Sequence, residues 1–243
     1  MQYNIMIDAD SMLYTAAYRH RENPVVEMMF AEFCYMVLEV KNAVWDILPE
    51  TSCMTDKPTV EMEIVLSPKK SFRHQIFPEY KANRKQSPLE GLSELRHRVM
   101  ERLSPILVEN FEADDVVVHG SNVLGYFVGA IDKDVINACR QPVYNYVKRA
   151  WEHQGRTQSE IEEWYNYQAL MGDSGDGIPG AKGVGKVGAK KIVATHPNWE
   201  EYAANFPDED TAVTMMRLVR MDQFDGGKII FWAPSLFYQA QSF

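Results

Sequence analysis

Carboxylates carry the strongest chemical signal in this chain. Asp8 ends the apolar run Tyr3 to Ile7, and Asp10 follows two residues on. Glu112, Asp114 and Asp115 cluster in FEADD, Asp132 and Asp134 in IDKD, and Asp173 and Asp176 stand three apart among glycines in MGDSGDG. Like charges gathered in one place repel and raise one another's pKa, and hard divalent cations with oxygen ligands relieve that cost. Magnesium or manganese suits such donors better than zinc, because the histidines are scattered and Cys34, Cys53 and Cys139 show no ligand spacing. Taken singly, Asp114, Asp115 or Asp132 is equally well explained as a helix cap. Taken together, acids at several strand ends point to two ions about 4 Å apart that activate water and steady a leaving oxygen in phosphodiester hydrolysis.

Basic residues complement the acids. From Lys69 to Lys85 six of them, Lys69, Lys70, Arg73, Lys81, Arg84 and Lys85, accompany the single acid Glu79. A second group, Lys182, Lys186, Lys190 and Lys191, surrounds Gly183-Val184-Gly185 with no acid between. Glycines let a ligand approach the backbone, and amides leading into a helix N-terminus attract anions. The formal net charge of −9 argues against a nucleic-acid partner as a sum, but these local concentrations suit a phosphate backbone. The bland alternatives are a flexible Gly-rich loop and a solvated basic loop. The spacing of Val184, Val187 and Ile192 favours a packed helix after the glycine hairpin.

The elements that must position these residues follow from periodicity. Strands are expected at Tyr3–Ile7, Val60–Leu66, Ile106–Val108, Tyr126–Ile131 and Pro142–Val147, with helices at Met28–Leu48, Leu89–Leu103 and Ala113–Leu124. That alternation predicts an α/β fold: a mostly parallel central sheet with helices on both faces, and ligands beyond the strands' carboxyl ends. After about residue 150 the pattern turns helical, at Glu160–Met171, Lys186–Ala194, Trp199–Phe206 and Asp210–Met221, with a strand at Lys228–Trp232. The expected division is an α/β core over 1–150, with a basic segment near 69–88, and a helical region over 151–243. No apolar run is long enough to span a bilayer, no signal peptide is evident, and the odd, dispersed cysteines suit a reducing cytoplasm.

Five stretches in order resemble the structure-specific 5′-nuclease superfamily of flap endonucleases and 5′→3′ exonucleases, particularly the exonucleases of short-tailed bacteriophages. They are IDADSMLY (7–14), FRHQIFPEYKANRK (72–85), FEADD (111–115), IDKD (131–134) and MGDSGDGIPGAKGVG (171–185). RLVRMDQFDGGKIIFW in the tail is similar to the phage branch. The resemblance implies a PIN/5′-nuclease-like core with an arch or clamp in the basic segment near 69–88, and a DNA-binding region over 151–243 with a helix–three-turn–helix at about 168–195. It implies metal ligation by Asp8, Glu112, Asp114, Asp115, Asp132, Asp134, Asp173 and Asp176, with Lys81 and Arg84 at the scissile phosphate. It also implies DNA contacts from Arg73, Tyr80, Lys85, Lys182, Gly183, Gly185, Lys186, Lys190 and Lys191, Tyr80 by stacking on a base. The implied cofactors are two divalent ions, Mg2+ or Mn2+, with K+ at the hairpin. The implied partners are DNA with a 5′ end, nick or flap, an RNA–DNA hybrid, and a separate replication polymerase or single-strand-binding protein.

One position departs from that pattern. Many members carry an acid just after the second strand, where this chain reads Leu66-Ser67-Pro68. Asp10 either supplies a replacement through water or simply starts the next helix. Two competing readings remain at this stage. IMIDAD also reads as the strand and DxD of a haloacid dehalogenase-type phosphatase with Asp8 as nucleophile, which leaves the lysine hairpin unexplained. A catalytically inactive DNA-binding relative would keep the fold without hydrolysis.

Overall fold

Alternation along the first strand divides the core. In the computed structural model, which describes residues 2–48, 58–84 and 89–240, β1 (Gln2–Asp8) sends Ile5 and Ile7 to one face of the sheet and Met6 to the other. Asp8 then caps α1 (Ala9–Arg19), and α2 (Val26–Ile47) packs beside it over Ile5 and Ile7. β2 (Thr59–Val65) pairs in parallel with β1, Asp8 lying opposite Val65. The short α3 (Arg73–Ile76) follows, and α4 (Leu92–Leu103) returns to the α1–α2 side with Leu95 and Val99 buried. Ile106–Val108 does not form the expected strand; within it, Ile106 makes a single bridge to Val65. Pro105 and the two left-handed residues Ser104 and Asn110 bracket a segment too irregular to extend a ladder.

The opposite face is covered by α5 (Ala113–Asn122), started by a capping box between Glu112 and Asp115. β3 (Phe127–Gly129) ends just before α6 (Lys133–Ala138), which Asp132 caps. β4 (Val143–Asn145) is parallel to β3, and β5 (Ala150–His153) closes the sheet antiparallel, giving the order β2-β1-β3-β4-β5. β5 and α6 escaped the sequence reading because four and six residues span at most two periods, too few to show a repeating pattern. Since β5 belongs to the sheet, the helical region begins at α7 (Gln158–Met171) rather than at 151.

Beyond α7 come α8 (Lys186–Val193), α9 (Trp199–Ala203), α10 (Glu209–Val219), the hairpin of β6 (Phe224–Asp225) and β7 (Lys228–Ile229), and α11 (Ser235–Ala240). Tyr202, Met216 and Leu170 anchor a third apolar cluster that joins these helices to α7. Among the described residues no helix is long and apolar enough to cross a membrane.

Candidate active site

Parallel strands β1 and β3 both run toward one edge of the sheet, and each is followed by a capping aspartate. Asp8 and Asp132 each accept a hydrogen bond from the amide two residues on, Asp10 N at 3.3 Å and Asp134 N at 2.7 Å. The cap and the candidate ligand are thus one residue: helix geometry fixes the carboxylate at the sheet edge. A cavity of about 760 Å³ opens there, lined by Asp8, Asp10, Glu112, Asp114, Asp132, Asp134, Asp173 and Asp176. Four separate stretches of chain therefore share one pocket. Asp8 is further oriented by Ser11 Oγ, which donates to Oδ2 at 2.7 Å and itself lies 2.8 Å from the Tyr146 hydroxyl.

Crowding marks these acids electrostatically. Burial, then Asp10 and Asp132, pushes Asp8 up to about 7. Burial and Asp132 push Asp134 up to about 7, and burial with Asp8 and Asp132 holds Asp114 well above the usual range. Asp173 goes the other way: burial would raise it, but Lys133 and the amides of Gly175 and Asp176 outweigh that and lower it. Two close glycines shape this loop. Gly172 and Gly180 both have positive φ, and a Cβ on Gly172 would stand 2.5 Å from the Ile178 carbonyl oxygen. The donors are all hard oxygens, and their mutual repulsion is what a divalent cation relieves. Among the described residues no three acids close on one point as they stand; Lys133 Nζ lies 3.3 Å from Asp173 Oδ2, and Arg84 pairs with Asp176.

The basic segment is docked against these acids. Lys81 Nζ donates to Glu112 Oε1 at 2.6 Å, and its backbone N–H donates to the Asp176 carbonyl at 2.7 Å. Asn83 reaches the Ser174 carbonyl at 2.6 Å. Glu112 is held down to about 2: burial opposes ionisation, but Arg73 and Lys81 outweigh it.

Three expected assignments change here. Arg73 is 2% exposed and lies inside the protein, with Nη1 and Nη2 on the two oxygens of Asp115 at 2.8 and 2.7 Å. Its Nε and Nη2 also donate to the carbonyls of Leu218 and Arg220, so the guanidinium is not placed to meet a phosphate. Asp115, 0% exposed, does not line the cavity; it supports Glu112 by accepting its N–H at 3.0 Å. Tyr80 is 4% exposed and donates to Glu112 Oε2 at 2.8 Å, which removes its ring from stacking on a base. Arg73 finds Asp115 42 positions away and Tyr80 finds Glu112 32 positions away, and those partners take up their polar groups inside the protein. Asp10 reaches the second strand's end directly: Oδ2 accepts from Ser67 N at 2.8 Å and Oδ1 from Arg96 at 2.7 Å.

At the hairpin, Lys182, Lys186, Lys190 and Lys191 are all exposed. Gly183 has φ of +80°, which favours glycine, whereas a Cβ at Gly185 would meet nothing in the protein. Lys85 lies outside the described residues.

The polar and aromatic cavity residues that sequence reasoning missed include Ser11, Tyr14, Arg96, Lys133 and Gln168. Tyr14 is 46% exposed and stacks on Tyr18, with ring centroids 6.3 Å apart. The i, i+4 spacing of two tyrosines after Asp8 was the available signal. For Gln168, buried in an apolar helix face, no sequence signal existed.

Comparison with known proteins adds an independent line. Residues 4–166 match the family model described as 5′-3′ exonuclease, N-terminal resolvase-like domain. DNA polymerase I of Deinococcus radiodurans is 32% identical over 149 residues, covering 55% of this chain and 16% of that protein. The flap endonuclease Xni of Shewanella pealeana is 28% identical over 141 residues, 51% of this chain and 54% of that one. The chain thus spans a small part of the polymerase and about half of the flap endonuclease. Among solved structures, the bacteriophage T5 D15 protein co-crystallised with metal ions superimposes with a TM-score of 0.67 at 17% identity, over 91% of this chain and 90% of that chain. The T5 D15 flap endonuclease in a pseudo-enzyme–product complex with DNA and metal ions gives 0.63 at 16% identity, over 91% and 90%.

Proposed function

Because this chain belongs to the 5′-3′ exonuclease family, N-terminal resolvase-like domain, we propose that its acidic cavity hydrolyses phosphodiester bonds at or near 5′ ends of DNA. The observation that carries this reading is the convergence of carboxylates from four distant stretches on one cavity rimmed by Lys81 and Arg84. The phosphatase reading loses its support with the family assignment and with the lysine hairpin it leaves unused.

Asp8, Glu112, Asp114, Asp132 and Asp134, together with Asp173 and Asp176, would hold two divalent ions, magnesium or manganese. When bound, such ions supply an activated water and positive charge at the leaving oxygen. The remaining work falls to the chain itself. Ser11 and Tyr146 keep Asp8 oriented, and Arg73 with Asp115 keeps Glu112 in place. Lys81 and Arg84, now paired with Glu112 and Asp176, exchange those carboxylates for the scissile phosphate and offset the charge that develops on it. Tyr14 offers an exposed ring at the cavity rim, and aromatic stacking tolerates any base. Lys182, Lys186, Lys190 and Lys191 grip the duplex backbone, with K+ at the Gly183–Gly185 turn.

Labelled nicked, flapped and RNA–DNA hybrid substrates, digested with magnesium and sized, test the reading. Cleavage should require the ion and stop on chelation, and Asp132→Ala should bind DNA without cutting it. Cleavage retained in that variant overturns the mechanism; salt-sensitive binding with no hydrolysis under any divalent ion makes the chain an inactive DNA-binding relative. A separate polymerase or single-strand-binding protein is the partner class this reading accommodates.

A further inference from the structure

Gln168 stands out among the buried residues of α7. It is 3% exposed, beside Tyr165, Ala169 and Leu170, and it lines the cavity from the helix side. Its Nε2 donates to Asp134 Oδ1 at 2.7 Å. Its Oε1 is buried with no hydrogen-bond partner. The orientation is dictated by the neighbour: turning the amide over would set its carbonyl oxygen against a carboxylate oxygen. A half-satisfied amide costs stability where an apolar side chain of the same length would cost none. Packing therefore does not explain a glutamine at this position, and its side-chain hydrogen bond goes to Asp134.

Asp134 needs such a partner. Its backbone N–H is committed to Asp132, which fixes the main chain but leaves the carboxylate free to rotate. Lys133, the preceding residue, turns to Asp173 instead. With one oxygen pinned by Gln168, the other is left for a cation.

We infer that Gln168 is a positioning residue that locks the Asp134 carboxylate, through the Nε2–Oδ1 hydrogen bond, in the orientation that receives a divalent cation. This rests on the metal-dependent reading proposed above. Partners that orient a ligating carboxylate commonly change metal affinity about 10–100-fold.

The test uses the full chain and Mn2+ as the probe, with binding followed by titration calorimetry and electron paramagnetic resonance in the absence of DNA. Gln168→Met should weaken binding of one ion about 10–100-fold while leaving the melting temperature unchanged or higher, since the orphaned carbonyl is removed. A double-mutant cycle with Asp134→Asn should be strongly non-additive: once Asp134 has been replaced, changing Gln168 should alter Mn2+ affinity no further. Mn2+ affinity within twofold of the unaltered protein, an additive cycle, or a fall in melting temperature that accounts for the weaker binding would each overturn the inference. Should the unaltered protein bind no Mn2+, the metal-dependent reading itself fails and the inference falls with it, an outcome distinct from normal binding in both proteins.

Discussion

Arg73 and Asp115 meet in a buried two-pronged ion pair, with Nη1–Oδ2 and Nη2–Oδ1 separations of 2.8 and 2.7 Å. The same guanidinium takes the carbonyls of Leu218 and Arg220, at 2.8 and 2.7 Å, so it ties the C-terminal region to the start of α5, where Glu112 faces the cavity. Arg220 is itself clamped by Glu162 at 2.7 Å through both terminal nitrogens.

Removing Arg73 should therefore act on folding rather than on DNA contact. Breaking one partner out of a buried pair costs about 3–5 kcal/mol. Arg73→Met is expected to lose stability of that order in chemical denaturation. The salt dependence of DNA binding should stay as it was, because the guanidinium neutralises no phosphate; a shallower slope would restore Arg73 to the DNA-facing set.

Lys81 should behave in the opposite way. Its ammonium is partly exposed and bound to Glu112 at 2.6 Å. Lys81→Ala is expected to lower the cleavage rate about 10²–10³-fold, the usual cost of one donor at a developing charge. Single-turnover rates with saturating DNA measure this, and the melting temperature should change little.

The hairpin lysines divide affinity from chemistry. Removing one cation that neutralises a phosphate reduces the slope of log K against log salt by about 1. Lys190→Ala and Lys191→Ala should each flatten the slope by about that much and weaken binding uniformly across sequences. The rate at saturating DNA should be preserved.

The crowded acids also predict a pH effect on metal-free protein. Asp8 and Asp134, normally near 3.8, are raised to about 7 in the fold. The native state therefore binds more protons than the unfolded chain across that window, and the stability these groups contribute, full below about 3.8, is lost as pH rises through 7. At about 1.4 kcal/mol per pKa unit, the loss amounts to a few kcal/mol. Melting curves of chelated protein from pH 5 to pH 8 should fall, and added magnesium should restore the alkaline side, because a bound cation replaces the protons. Stability that rises over this range without metal contradicts the crowding.

The sequence by itself determined the sheet with its helical faces, the strand-end aspartates, the exposed lysine hairpin and the family. Each of these is written in short-range spacing: an apolar run that stops at Asp8 or near Asp132, a cap that starts the following helix, glycines beside lysines. It also exposed the missing acid at Ser67. Only the tertiary structure decided what Arg73, Tyr80, Asp115, Asp10 and Gln168 touch. A basic or aromatic residue in a basic loop reads as surface, yet Arg73 is withdrawn by Asp115, 42 positions away, and Tyr80 by Glu112, 32 positions away. Asp10 finds Ser67 N across 57 positions, and Gln168 finds Asp134 across 34. Desolvation makes such pairings decisive, since a polar group leaving water must find a partner, and which partner lies within reach is set by how distant elements pack.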